Sequence, residues 1–215
     1  MSADPTKVLV VCARRYNGHE LWTALGVMQE AGLEFEVVSQ AKYIEDEVTG
    51  QPNVLERKVW DVDPSEMTSK FGALMLVSGN MGDTEAYWKD NHVLGLVEAA
   101  NAPLQPIAAI CCSVPTIRNA ARGKAVSFFP LIRSRELLTR AGAILRTVAW
   151  TVDQNLVTAE HQMATQMWAE AFVGMIYGRE PPKPLHDSGY VPKGRLVRTP
   201  KVIDDMRRAA KKTTE

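Results

Sequence analysis

The sequence predicts an α/β fold with a mostly parallel central sheet, and three observations lead to that prediction. Short runs rich in valine, leucine and isoleucine recur along the chain, which is typical of strands buried on both faces of a parallel sheet. Segments with apolar residues at helical spacing lie between these runs. The chain has 215 residues, 46% of them hydrophobic, which is enough for one domain with a sizeable core.

The first half of the chain repeats a strand, helix, strand pattern. The run KVLVVC at residues 7–12 predicts the first buried strand, and Gly32 stands where the following helix should end. Residues 41–66 interrupt the pattern with polar residues, glycine and proline, and predict irregular structure or a small hairpin. The predicted elements of this half are strands at 7–12, 34–39 and 71–77 and helices at 19–31 and 84–100. This alternation favours a parallel sheet because each helix returns the chain to the same edge.

The second half continues the alternation and ends in a segment of different composition. Its predicted elements are strands at 107–111, 125–128, 146–150 and 156–159 and helices at 115–121, 133–141 and 163–177. The residues Asp153-Gln154-Asn155 predict a turn between the last two strands. Beyond residue 177 the chain is rich in proline and then polar and basic. We therefore expect a domain at 1–177 and a C-terminal extension at 178–215.

Charge and composition narrow the classes of function. The formal net charge is zero, so the chain as a whole has no electrostatic preference for nucleic acid or an anionic membrane. No apolar run is long enough to span a membrane, and the N-terminus lacks the pattern of a signal peptide, so we expect a cytoplasmic protein. Cys12, Cys111 and Cys112 make an odd count that favours free thiols. The cysteines and the four histidines lack the spacing of a zinc site, so no metal is expected.

Candidate catalytic residues follow the predicted strands, because open parallel sheets bind ligands at the carboxyl ends of their strands. Cys111 ends one strand and precedes a helix, whose N-terminus would lower the pKa of the thiol and favour a nucleophilic thiolate. The alternative is a buried cysteine that fills space in the core. The turn at 78–80 (SGN) offers N–H donors to an oxyanion, or is a tight turn with a helix cap at Asp83. Glu20 lies at a helix start, where a carboxylate is favourable whatever its function.

The order of strands, turns and helices along this chain resembles that of the ThiJ/PfpI superfamily. Its members have the class I glutamine amidotransferase-like fold and include deglycases and intracellular peptidases. The resemblance covers residues 7–177 and rests on KVLVVC followed by Glu20-Leu21, then EFEVVS, FGALMLVSGNMGD, PIAAICCSVPTI and DQNLVTAE. It implies a flavodoxin-like three-layer sandwich with a mostly parallel central sheet. The C-terminal extension lies outside it.

The resemblance also implies roles for individual residues. Cys111 falls on the nucleophile at the turn after a strand, and Glu20 on the glutamate that hydrogen-bonds to its sulfur. Gly79 and Asn80, with the serine before them, fall on the turn that binds an oxyanion. A thiolate in contact with Glu20 requires the carboxyl group to be protonated, because two negative charges would repel each other.

The sequence departs from the superfamily at the positions of its usual general bases. Peptidase-like members have a histidine directly after the nucleophile, where this chain has Cys112, and deglycase-like members have a histidine where this chain has Phe129. An alignment on Pro115 would make Cys112 the nucleophile in place of the preceding cysteine. His19 and His161 are the two histidines expected near the pocket. Each is a candidate general base, and the alternatives are a residue that lines the binding site or an ordinary surface residue.

These residues and the resemblance lead us to expect a cysteine-dependent enzyme that acts on a small carbonyl-like or amide-like substrate, through attack of a thiolate on an electrophilic carbon. No phosphate-binding glycine loop is present, so no organic cofactor is expected. The alternatives are a non-catalytic stress or redox sensor with an oxidisable cysteine, and an intracellular cysteine peptidase. We expect a homodimer without nucleic-acid or membrane partners, from the resemblance and from the charge of the extension. Its formal charge of +5, against −5 in residues 1–177, suggests a segment that folds back on its own body or on a second copy.

Overall fold

The strands form a six-stranded central sheet and two small ones. The computed structural model describes residues 4–179. Its strands are β1 (Asp4–Cys12), β2 (Arg15–Tyr16), β3 (Glu34–Val38), β4 (Tyr43–Asp46), β5 (Pro52–Val54), β6 (Phe71–Val77), β7 (Ile107–Ile110), β8 (Ala125–Ser127), β9 (Ile144–Arg146), β10 (Trp150–Asp153) and β11 (Leu156–Ala159). The central sheet has the order β10-β11-β7-β6-β1-β3 and is parallel except for the antiparallel pair of β10 and β11.

Helices cover both faces of this sheet. They are α1 (Gly18–Glu30), α2 (Glu66–Ser69), α3 (Met81–Tyr87), α4 (Asn91–Asn101), α5 (Ile132–Ala141) and α6 (Thr165–Ile176), with 3₁₀ helices at Val59–Asp61, Cys111–Ile117 and Gln162–Ala164. Within residues 4–179, no helix has the length and apolar character needed to cross a membrane.

Alternate residues of β1 enter two separate cores, as the pleat of a strand requires. Val8 and Val10 belong to the core that contains the apolar residues of α1 and α6. Leu9 and Val11 belong to the core that contains those of α4. All four side chains are fully buried, so the continuous apolar run of β1 results from helices on both sides. The predicted flavodoxin-like three-layer sandwich is therefore confirmed.

The predicted helix at 84–100 is two helices, so the prediction of one continuous element is wrong. The break lies between α3 and α4, where Asp90 has an extended backbone and caps α4. Its Oδ1 accepts hydrogen bonds from the amides of His92 at 2.9 Å and Val93 at 3.3 Å. An N-cap aspartate begins a new helix because it satisfies N–H groups that have no partner within the helix.

Two predicted strand assignments also differ from the structure. The strand predicted at 146–150 lies at Trp150–Asp153 as β10, and the turn after it contains Gln154 with a φ of 53°. The strand β8 is not part of the central sheet, because it pairs in parallel with β9. The C-terminal extension predicted at 178–215 lies outside the described residues except for its first two.

The predicted hairpin at 41–66 is present as β4 and β5, which pair antiparallel. The short strand β2, directly after β1, pairs in parallel with β4 and forms a three-stranded sheet with the hairpin. An isolated bridge joins Tyr16 of β2 to Gly79, just beyond β6. The small sheet therefore lies beside the carboxyl ends of β1 and β6.

Candidate active site at the carboxyl ends of the central strands

Cys111 lies in a strained turn between β7 and the 3₁₀ helix Cys111–Ile117. Its φ of 55° is in the left-handed region, which non-glycine residues rarely adopt. Ser113 holds the turn, because its Oγ accepts a hydrogen bond from Ile110 N at 3.0 Å and lies 2.8 Å from Leu76 O. This geometry presents a side chain at the end of the sheet. The α-helix predicted at 115–121 is wrong: the segment is a 3₁₀ helix that already begins at Cys111 and contains Pro115.

Glu20 is a buried carboxyl group at the start of α1. The side chain of Asn17 caps this helix and accepts a hydrogen bond from Glu20 N at 3.1 Å. Ser78 donates two hydrogen bonds to Glu20 Oε2, from its amide at 3.0 Å and from its hydroxyl at 2.6 Å. Both bonds end on the same oxygen and hold the carboxyl group in one orientation.

Burial raises the pKa of Glu20 to about 7, although the two bonds from Ser78 and a hydrogen bond with Cys111 act in the opposite direction. Only 1% of Glu20 is exposed to solvent. The carboxyl group therefore exchanges its proton near neutral pH, where an ordinary glutamate is fully ionised.

The Cys111 thiol is held mainly in its protonated form. Its Sγ lies 3.8 Å from Cys112 Sγ, and the hydrogen bond between these two thiols, burial and the charge of Glu20 raise the pKa of Cys111 well above its ordinary value. An interaction with Ser78 has the opposite effect on this pKa. The prediction that a helix N-terminus lowers the pKa of this thiol is therefore wrong. The short 3₁₀ helix lacks the aligned peptides of a long α-helix, and burial has the larger effect.

The turn Ser78-Gly79-Asn80 packs directly against β2. A Cβ atom at Gly79 would lie 2.0 Å from Arg15 O, so only glycine fits there. The amide of Gly79 donates to Thr84 Oγ1 at 3.1 Å, and that of Asn80 donates to Arg15 O at 2.7 Å. With the Ser78 amide on Glu20, all three N–H groups have acceptors inside the protein. An oxyanion at this turn would have to replace one of these acceptors, of which Glu20 Oε2 and Thr84 Oγ1 are side-chain atoms and Arg15 O is a backbone atom.

Asn80 is a helix cap and a partner of Arg15. Its Oδ1 accepts hydrogen bonds from Gly82 N at 3.2 Å, which caps α3, and from Arg15 Nη2 at 3.0 Å. Asp83 Oδ2 accepts from Arg15 Nε at 2.7 Å, and this guanidinium lowers the pKa of Asp83. The helix cap considered at Asp83 is therefore wrong: the cap is Asn80, three residues earlier. Asn80 holds the turn in place.

His161 lies beyond β11, beside the strand that precedes Cys111. In the parallel register Ala159 of β11 pairs with Ile110 of β7. The Nδ1 atom of His161 accepts a hydrogen bond from Met163 N at 3.2 Å, which leaves Nε2 as the protonated nitrogen of the neutral ring. Burial lowers the pKa of His161. Its ring centroid is 6.1 Å from that of Phe129, the residue that stands where deglycase-like members have a histidine. A neutral imidazole therefore lies beside a phenyl ring at this position.

The second candidate histidine does not share this environment. His19 is exposed on α1, although its neighbour in sequence, Glu20, is buried. Successive residues of a helix point about 100° apart, which allows His19 to face solvent while Glu20 faces the interior.

A polar bridge that the sequence analysis missed connects three segments around Glu20. Asn17 Nδ2 donates to Glu47 Oε1 at 3.1 Å and to Gln162 Oε1 at 2.6 Å. It therefore joins the start of α1 to the hairpin and to the helix after β11. The spacing of Asn17 and Glu20 is a recognisable capping signal. Glu47 and Gln162 have no such local signal, because their contacts with Asn17 span 30 and 145 residues.

Metal ligands are not grouped in the described residues: no three His, Cys, Asp or Glu side chains lie close enough together to hold a metal ion.

Comparison with known proteins identifies relatives of this chain in sequence. The sequence matches the DJ-1/PfpI family over residues 6–175. An uncharacterized protein of Methanocaldococcus jannaschii is 28% identical over 157 residues, which are 72% of this chain and 74% of that protein.

Two solved structures show the same fold at low sequence identity. The ThiJ/PfpI domain protein from Brachyspira murdochii has a TM-score of 0.71 at 20% identity, over 80% of this chain and 97% of that chain. Drosophila melanogaster DJ-1beta has a TM-score of 0.67 at 20% identity, over 83% of this chain and 92% of that chain. The sequence match spans nearly all of the described residues, and the structural matches agree with it. The chain therefore belongs to the DJ-1/PfpI family.

Proposed function

We propose that this protein is a cysteine-dependent enzyme that acts on a small carbonyl-like or amide-like substrate, with Cys111 as its nucleophile and Glu20 as the group that exchanges its proton. One observation carries the proposal. A buried carboxyl group with a pKa of about 7 interacts with a thiol that a left-handed turn presents beyond the sheet. Perturbed titratable groups that act on each other are typical of catalytic sites.

The raised pKa of Cys111 requires a base for the attack. The Glu20 carboxylate accepts the thiol proton on Oε1 while the sulfur forms a bond to the carbonyl carbon of the substrate. The oxygen of the substrate becomes an oxyanion and then takes the proton back from Glu20. For an aldehyde this sequence gives a hemithioacetal without loss of any atom.

The oxyanion needs hydrogen-bond donors at the turn. The amide of Cys112 lies in the first turn of its 3₁₀ helix, where N–H groups have no partner within the helix. The amide of Gly79 becomes available once the Thr84 hydroxyl rotates away from it. We propose these two N–H groups as the oxyanion donors, with His161 lining the substrate pocket.

The test is turnover of a panel of small aldehydes and amides by freshly reduced protein. We expect turnover by the wild type and by Cys12→Ser, a matched control in which a buried cysteine on β1 is changed, and none by Cys111→Ser. Turnover that survives Cys111→Ser, or no turnover of any compound in the panel, would contradict the proposal.

We expect little peptidase activity from the same site. Hydrolysis of an acyl-enzyme needs a positioned base to activate water, a contribution of roughly 10²–10⁴-fold in rate. Cys112 and Phe129 occupy the two positions where relatives have a histidine. Efficient cleavage of fluorogenic peptides that is lost in Cys111→Ser would support the peptidase alternative, and its further loss in His161→Ala would identify the base.

A non-catalytic redox sensor is the second candidate, because the two neighbouring thiols lie in contact and the usual bases are absent.

Under either proposal we place the protein in the cytoplasm, since its three cysteines are free. We also propose that it forms a homodimer, and that residues 1–177 form a domain to which 178–215 are an extension.

A further inference from the structure

The neighbouring cysteines at the end of β7 form a vicinal dithiol. The two sulfur atoms of Cys111 and Cys112 lie 3.8 Å apart. Cys111 is partly exposed, whereas Cys112 is 5% exposed. We propose that a hydroperoxide converts this pair into a reversible intramolecular disulfide, with Cys111 as the peroxide-reactive thiol and Cys112 as the resolving thiol. The reaction does not depend on the proposed enzyme activity.

The reaction proceeds in two balanced steps. In the first, the Cys111 thiolate attacks the terminal oxygen of the hydroperoxide, the O–O bond breaks, and the products are a sulfenic acid and an alkoxide or hydroxide, which takes up the thiol proton. In the second, the sulfur of Cys112 attacks the sulfenic sulfur, the S–S bond forms, and hydroxide leaves as water with the second thiol proton. Overall, two thiols and one hydroperoxide give a disulfide, an alcohol or water, and water.

The positions of the three cysteines favour this order of events. Peroxide reaches Cys111 first because Cys112 is nearly enclosed. Cys12 is fully buried within β1, where peroxide does not reach it, so it is a poor partner. The carbonyl of Cys112 accepts a hydrogen bond from Trp88 Nε1 at 2.9 Å, which holds the resolving residue in the turn.

The geometry also predicts that the disulfide is easily reduced. Consecutive Cα atoms are about 3.8 Å apart, which is less than the roughly 4.4–6.8 Å of ordinary disulfides. The bond between neighbouring residues is therefore strained, and strained disulfides have more oxidising potentials and yield readily to cellular thiols. Such a bond would block the Cys111 sulfur under peroxide and release it once the peroxide is gone. It would also protect Cys111 from irreversible oxidation to the sulfinic acid.

The test is treatment of the full-length protein with hydrogen peroxide, followed by peptide mass spectrometry. In the wild type and in Cys12→Ser, we expect the peptide that contains both vicinal cysteines to lose two hydrogen atoms, and to regain them with dithiothreitol. In Cys112→Ser and Cys112→Ala, we expect Cys111 to gain two oxygen atoms several-fold faster than in the wild type. The two variants together guard against a folding defect in either one, which circular dichroism checks.

Three results would overturn the inference. The first is sulfinic acid at Cys111 that forms equally fast with and without Cys112. The second is a disulfide that involves Cys12 or a second chain. The third is no reaction of the vicinal pair at all. None of these readouts uses a substrate, so failure here is distinguishable from failure of the proposed enzyme activity.

Discussion

The hydrogen bonds of Ser78 hold the carboxyl group of Glu20 in one orientation. Because its amide and hydroxyl both donate to Oε2, the carboxyl group is fixed in orientation, and we propose that Oε1 takes the proton of Cys111. Ser78 was expected to contribute backbone donors to an oxyanion. In the structure its main role is to hold the carboxyl group, which no local pattern predicts, since 58 residues separate the two partners.

Glu20 should make the stability of the protein depend on pH. Its pKa is about 7 in the folded protein and 4.5 in the unfolded chain, so the folded state binds more protons between these values. Its contribution is fully present below pH 4.5 and is lost as pH rises through 7. We expect the free energy of unfolding to fall by roughly 3 kcal/mol over this range. Urea unfolding of the wild type and Glu20→Gln at several pH values checks this. An equal pH dependence in both would contradict it.

Replacing Cys112 should lower the pKa of Cys111. The hydrogen bond to Cys112 is the largest cause of the raised pKa, and alanine cannot accept it. The pH dependence of Cys111 alkylation measures the change, and we expect its midpoint to move to lower pH in Cys112→Ala. Cys112→Ser keeps an acceptor and should shift the midpoint less. Equal midpoints in wild type and Cys112→Ala would show that burial alone keeps Cys111 protonated.

At the level of elements, the sequence predicts the strands that continuous apolar patterns encode. It misses the helix boundaries that depend on a single capping residue or on contacts with distant residues. The uninterrupted apolar runs of β1 and β6 were predicted because burial on both faces leaves no polar positions. The break between α3 and α4 was missed because Asp90 lies within a pattern that otherwise continues as a helix. The 3₁₀ form of Cys111–Ile117 was missed because it results from contacts of Ser113 with β6 and β7.

The turn after β6 should tolerate no side chain at Gly79. The added Cβ of Gly79→Ala would lie 2.0 Å from Arg15 O and 2.6 Å from Tyr16 Cα, so the backbone that carries Ser78 must move. We expect a loss of about 3 kcal/mol in stability, at the upper end of overpacking effects. Gly26→Ala is the matched control, because its Cβ meets nothing within 4 Å in the middle of α1 and should stabilise by about 0.5–1 kcal/mol. Similar urea midpoints for the two variants would contradict this account of the turn.

On the scale of the whole molecule, the sheet assembles the site from segments far apart in the chain. Glu20 follows β1, Ser78 follows β6, Cys111 follows β7 and His161 follows β11, so four parallel strands deliver their carboxyl ends to one edge. This convergence could be predicted from the strand order that the fold class implies. The hydrogen bonds of the turn amides and the neutral state of His161 could not be predicted from the sequence, because they depend on side chains that meet only after folding.

The proposed homodimer should depend on the C-terminal extension. Its formal charge of +5 opposes −5 in residues 1–177, which favours contact with a second copy. We expect light scattering to give the mass of a dimer for the full chain and a shift toward monomer for a version that ends at Gly178, more so at low ionic strength. Monomeric masses for both versions would defeat this expectation.

The identity of the nucleophile is tested most directly by alkylation of the native protein with limiting iodoacetamide, mapped at each of the three cysteines and repeated over a range of pH. We predict that Cys111 is modified first, because it is the thiol that is partly exposed and presented by the left-handed turn. We also predict that its rate depends on the ionisation of Glu20, so that Glu20→Leu changes the pH profile of Cys111 alone. Preferential modification of Cys112, or a Cys111 profile that Glu20→Leu leaves unchanged, would contradict a site built on these two residues.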